Sequence, residues 1–189
     1  MKHLIPTRQL ALLSILAAMG ATARIGLGWV ALQAPQAAYG VLIKVGLTEP
    51  VAFLSGLAFG PVQGFATGVL VIVVSDLFTV PGPWTPFIAA IIGLLGVGGG
   101  LLHVRRKNPS LVLLGASAVG LTLMSELLQN TWFALFFGIP VEAAVLTGIP
   151  SIVTALINNT FLFTTLVPRV LTILRQKRML APVENARAP

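Results

Sequence analysis

The placement of charge constrains this chain more than any other feature. Of its twelve Lys and Arg, ten fall in three places: Lys2 and Arg8, then Arg105-Arg106-Lys107, then Arg169, Arg175, Lys177, Arg178 and Arg187. Between them lie runs with no Asp, Glu, Lys or Arg, among them Pro50 to Ser75, Leu77 to Leu102 and Ala143 to Pro168. Each exceeds the roughly 20 apolar residues that cross a bilayer core. The chain is therefore expected to be an all-α membrane protein. Composition agrees: 56% apolar and 9% charged residues lie far from a soluble domain, in which about a quarter of residues are charged.

Several function classes are excluded at this level. The net charge of +7 sits in short juxtamembrane clusters and not on a soluble face, which argues against nucleic acid as a partner and for the lipid bilayer. With no Cys, there is neither a disulfide framework nor thiolate ligation. The two His, His3 and His103, lie at the cytoplasmic boundary without Cys or paired carboxylates beside them, so no metal site and no cofactor is expected. A Ser nucleophile would lack a His base on its own side of the membrane. Gly96, Gly98, Gly99 and Gly100 are not followed by Lys-Ser/Thr and do not form a phosphate loop. No catalytic residue is expected, and any energy source must be a partner.

Six spans fit the pattern, at about Thr7–Leu27, within Tyr39–Phe59, and at Val62–Phe78, Pro86–His103, Leu111–Phe137 and Gly148–Leu174. The second, interrupted by Lys44, Glu49 and Pro50, reads as short or broken. Turns fall at Gly60-Pro61, Val80-Pro81-Gly82-Pro83 and Gly138-Ile139-Pro140. Residues 1–180 form one domain, and the tail 181–189 is expected to be disordered. Six spans put the N-terminus, the fourth connection and the C-terminus on one side, where the basic clusters are; by the positive-inside rule that side is cytoplasmic. Arg24, Lys44, Glu49, Asp76, Glu126 and Glu142 then all fall in the outer half.

Ionisable groups within spans are expensive and point to function. Glu126 lies about 22 Å into the fifth span, with Gln129, Asn130, Phe133 and Phe137 following on one helix face. That face suits a polar, partly aromatic small molecule, or serves as an interhelical hydrogen-bond network. Ser151, Thr154, Asn158 and Thr165 form a polar stripe on the sixth span, with adjacent Asn159 about 100° away; the alternative is structural polar glue. Arg24 and Lys44 hold an anionic substrate or pair with Glu49 and Asp76. Trp84, in an outer loop, is an interfacial anchor or a ligand stack. Ser14, Ala17, Ala18, Ala21 and Thr22 give the first span a flat side for close helix approach, within the chain or with a partner.

Three features together resemble the substrate-specific S component of an energy-coupling factor transporter. They are the size with six spans, the first helix from Ala11 to Arg24 with AxxxA at Ala17 and Ala21, and Leu57–Gly68 with its Gly-Pro-x-x-Gly followed by Ser75-Asp76-Leu77. The resemblance covers Thr7 to about Arg175. It implies a prokaryotic cell-membrane protein that binds a vitamin or vitamin precursor from outside, associates with a T component and two cytoplasmic ATPases, and is tipped over by ATP-driven rearrangement. Ala17 and Ala21, with Ser14 and Ala18 beside them, would meet the T component, and the faces around Glu126 and Asn158 would line the pocket. The loop Gly82-Pro83-Trp84-Thr85-Pro86 is similar to S components associated with cobalamin uptake, with riboflavin, folate, thiamine, biotin and other precursors as open alternatives. Two other readings are a structural or assembly subunit without a ligand and an ion-coupled secondary carrier; for the carrier an internal repeat is expected, and none is visible.

Overall fold

The computed structural model describes residues 7–35, 41–42, 44–105 and 109–177. Six helices follow one another: α1 Thr7–Gln33, α2 Thr48–Phe59, α3 Pro61–Phe78, α4 Thr85–Arg105, α5 Leu111–Phe137 and α6 Val141–Gln176. Five of them, all but α2, are long and apolar enough to cross a membrane, and the protein is all-helical over its described residues. The tail 181–189 lies outside the described residues, as do residues 36–40 and 43 of the first connection.

At 12 residues, α2 rises only about 18 Å, so length alone leaves its passage open. The packing partners decide it. Gly20 lies against Val71, Arg24 against Ser75 and Gly28 against Thr79, a constant offset of 51 positions, so α1 and α3 run parallel. The chain must therefore return between the end of α1 and the start of α3, and α2 forms part of that return. The remaining contacts alternate in step. Gly64 meets Gly96 and Gly68 meets Ile92, making α3 and α4 antiparallel; Gly98 meets Leu121 across α4 and α5. Thr122 meets Asn159 and Asn130 meets Gly148 across α5 and α6. The start of α1 and the end of α6 share one end of the bundle, where the Arg8 Nη2 donates to the Lys177 carbonyl over 3.2 Å.

Local sequence explains the turns. Gly60 alone separates α2 from α3, at φ 111°, a backbone region open essentially to glycine; Pro61 then occupies the first helical turn, where its missing N–H costs nothing. Gly138 closes α5 in the left-handed region at φ 67°, so Gly138–Pro140 forms the whole connection and α6 starts at Val141, seven residues ahead of the expected Gly148. Ser110 caps α5, its hydroxyl accepting from the Leu113 N–H over 3.2 Å.

Close packing is concentrated in α2, α3 and α4. A Cβ on Gly56, Gly64, Gly96 or Gly99 would overlap backbone atoms of the facing helix, so these residues let main chains touch. Near-continuous burial from Thr48 to Ala58 makes α2 the central element. Ser55 and Thr67 add a buried hydroxyl pair at 2.7 Å. The rings of Phe53 and Phe163, 4.3 Å apart, join α2 to α6. The outer surface is lined by large apolar side chains such as Ile15, Val62, Leu77, Val112, Leu135 and Ile157, the exposure expected of lipid-facing positions.

The flat side of α1 divides in two. Ala17 and Ala21 are buried, and Gly20 between them sits against Val71 and Val51. This corrects the expectation that Ala17 and Ala21 face a partner: the small side chains let α1 approach α2 and α3. Ser14 and Ala18 remain outside with Thr22 and Gly26, four small residues at successive four-residue steps.

Candidate functional site

A cavity of about 380 Å³ opens among α1, α3, α4, Gln129 of α5 and the 44–49 segment, at the end of the bundle away from Arg8 and Lys177. It lies at the small end of ligand pockets, which run from about 300 to 1,000 Å³. Of the six charges assigned to the outer half, Arg24, Lys44, Glu49 and Asp76 line it, together with Trp84 and Gln129. Ile72, Ile88 and Ile92 supply an aliphatic wall.

Two ion pairs organise its polar side. Arg24 projects from α1 at the level of the last turn of α3 because the two helices run parallel. Its Nη1 donates to the Ser75 hydroxyl over 2.7 Å and to Asp76 Oδ1. Asp76, only 2% exposed, accepts at Oδ2 from the Thr85 hydroxyl over 2.6 Å, and the Gly82 N–H donates to Thr85 Oγ1. One carboxylate thus fixes α1, the end of α3 and the start of α4, and the Gly82–Thr85 turn holds Trp84 at the rim. Gly82 lies so close under the indole that a Cβ there would meet the ring.

The second pair draws the 44–47 segment onto the other helices. Lys44 Nζ donates to Glu126 Oε1 over 2.6 Å and to Gln129 Oε1 over 3.3 Å. The Gln129 amide is held in turn by donation from its Nε2 to the Ser125 hydroxyl over 2.8 Å. Asn158 Nδ2 donates to the Gly46 carbonyl over 2.9 Å. The segment is therefore tied to α5 through Lys44 and to α6 through Gly46. Lys44 pairs with Glu126 and not with Glu49, and Arg24 pairs with Asp76. Of the two roles open to these bases in the sequence, the structure shows ion pairing.

Some expected residues stay off the cavity wall. Glu126 is 1% exposed and lies one contact behind the wall, screened by Lys44; its Oε2 has no hydrogen-bond partner among the described residues. Asn130 Nδ2 donates to the Glu126 carbonyl of its own helix over 2.8 Å. Asn158 is occupied at Gly46, and the neighbouring Asn159 is the buried amide, donating to the Thr122 hydroxyl over 2.9 Å. Ser151, Thr154 and Thr165 donate to carbonyls of their own helix, a common way for hydroxyls to be satisfied in apolar surroundings. Phe133 and Phe137 are about half exposed and pack against each other at 4.4 Å. The i, i+3, i+4 face beginning at Glu126 thus splits: Gln129 reaches the cavity, and the two rings face outward.

Sequence reasoning did not assign Glu49, Thr48, Thr79 or the aliphatic wall to the site. Glu49 and Asp76 carried a signal, since both belong to the outer charges. Thr79 and Gly28 face each other only through the parallel register of α1 and α3, which no local pattern reveals. Among the described residues no group of three His, Asp or Glu side chains is placed to hold a metal ion. Comparison with known proteins assigns the chain to no family: no family model matches it, and neither a curated protein nor a solved structure does.

Proposed function

We propose that this protein is the substrate-binding membrane subunit of an energy-coupling factor importer, capturing a small vitamin-like molecule outside the cell and delivering it inward with a T component and two ATPases. The observation that carries the reading is the cavity itself: four of the six charges in the outer half, Arg24, Lys44, Glu49 and Asp76, converge on it, at the end of the bundle opposite Arg8, Arg169, Arg175 and Lys177. Buried ionisable groups in an apolar bundle are costly, and a bundle needing only to pack would have no use for their convergence around empty volume. On this reading, and by the positive-inside rule, the basic end faces the cytoplasm and the cavity faces outward.

Cavity size shifts the substrate expectation. About 380 Å³ suits a compact molecule, and a corrinoid is too large for it unless the helices part, so cobalamin is no longer favoured. The coupling surface shifts too. With Ala17 and Ala21 turned inward, the outward stripe of Ser14, Ala18, Thr22 and Gly26 is the side of α1 open to a T component, small residues being what permits close helix approach in a membrane. That stripe would serve a structural subunit equally well; the lined cavity separates the two readings.

Mass spectrometry of small molecules co-purifying with the detergent-solubilised protein tests the proposal. A bound metabolite is expected with the wild type and is expected to be depleted in Trp84→Ala combined with Gln129→Ala. If no metabolite co-purifies and titrated vitamins leave thermal stability unchanged, the structural-subunit reading replaces it.

A further inference from the structure

Resting on the ligand-binding reading, we infer that the cavity takes a compact organic cation, a protonated amine or a positively charged heteroaromatic ring, and rejects anions. The two bases on its wall already carry carboxylates in direct contact. Arg24 is bound to Asp76 and Lys44 to Glu126. An anionic ligand would meet bases whose charge is already compensated, with Asp76 and Glu126 beside them to repel it, and displacing either carboxylate would leave a buried charge unpaired, at a large energetic cost.

The remaining groups favour the opposite sign. Glu49 lines the cavity and forms no ion pair among the described residues. Behind Lys44, Glu126 Oε2 adds an acceptor that no donor among the described residues satisfies. Arg24 and Lys44 are matched by Asp76 and Glu126, which leaves Glu49 as the cavity carboxyl without a basic partner among the described residues. Trp84 at the rim provides the aromatic face that best attracts a cation, while Ile72, Ile88 and Ile92 offer a surface for the flat or aliphatic part of the ligand. A cation can take Glu49 as its partner without disturbing either existing pair.

The test uses the full chain in lipid nanodiscs, with thiamine and pyridoxamine as cationic probes, pyridoxine as a neutral one, and 4-pyridoxate and biotin as anionic ones. Thermal stabilisation and titrated Kd are read alongside the net charge of any co-purifying metabolite. Cationic probes are expected to bind and anionic ones not to. Glu49→Gln is expected to weaken cation binding about tenfold or more, with the unliganded melting temperature unchanged, and Glu49→Lys to abolish it. An anionic co-purifying metabolite, an anionic probe binding more tightly than the cations, or unchanged cation affinity in Glu49→Gln would overturn the assignment while leaving the transport reading intact. If no probe binds and nothing co-purifies, both fall together.

Discussion

The α2–α3–α4 unit and the α5–α6 hairpin are both built from apolar helices, and they hold together by different means. In the first, main chains touch along Gly56, Gly64, Gly96 and Gly99. In the second, the contacts run through side chains: Asn159 to Thr122, and the Asn130 amide lying on Gly148. Gly120 on α5 has nothing within 4 Å of a Cβ position. In a bilayer, lipid tails are as apolar as Leu, so dispersion at close range and polar contacts decide helix association. The glycine-seamed unit is where main chains approach most closely. The hairpin, which meets it along α4 and α2, is secured by hydrogen bonds and by side-chain packing, Leu114, Ala118, Phe163 and Val167 sharing an apolar cluster with Phe53, Leu54 and Leu57.

The sharpest way to break this contrast is to enlarge a glycine on each side. Gly96→Leu would drive a side chain into the Gly64 backbone, and the loss should reach or exceed the upper end of the roughly 1–3 kcal/mol seen for overpacking, read as failure to accumulate or a large fall in thermal midpoint. Gly120→Leu should change stability by less than about 0.5 kcal/mol. Equal effects would erase the distinction between seam and open surface.

Comparable in size is the tie between the two regions. Lys44→Met alone strands buried Glu126, costing about 3–5 kcal/mol, whereas Lys44→Met with Glu126→Leu should recover most of the loss. The double mutant should keep its thermal midpoint in nanodiscs; failure to recover would mean Glu126 has a further structural partner. Smallest is Asn159→Ala, which removes one interhelical hydrogen bond of the hairpin and should cost about 0.6–1.7 kcal/mol, visible as a modest shift in midpoint. A loss as large as that of Gly96→Leu would place the hairpin on the same footing as the seam.

Much of the fold was legible because the physics that fixes it is local. Runs without charge mark the spans, and Gly60-Pro61 and Gly138–Pro140 mark turns through backbone geometry. The charge map located the cavity end in the same way, since Arg24, Lys44, Glu49 and Asp76 cannot sit in lipid without partners. What the sequence could not yield is who pairs with whom. Lys44 and Glu126 are 82 positions apart, and either Glu49 or Glu126 would have satisfied Lys44 on charge alone. The side chosen by an Asn was equally hidden: Asn158 and Asn159 are identical residues separated only by helical rotation, and the packing of α6 against α5 selects Asn159 for the interior. The inward turn of Ala17 and Ala21 has the same origin, because α1 carries small residues on two neighbouring faces and only the fit to Val51 and Val71 distinguishes them.

The half-length of α2 has a consequence for how the chain enters the bilayer. Twelve residues rise about 18 Å and cannot cover a hydrocarbon core of about 30 Å unaided. Nearly all of its surface is contacted by protein in the finished bundle, so it has no face of its own to offer lipid. Joined to α3 by one glycine, it is expected to enter the bilayer as one arm of a hairpin whose longer arm supplies the hydrophobic length, so its neighbour would set its place.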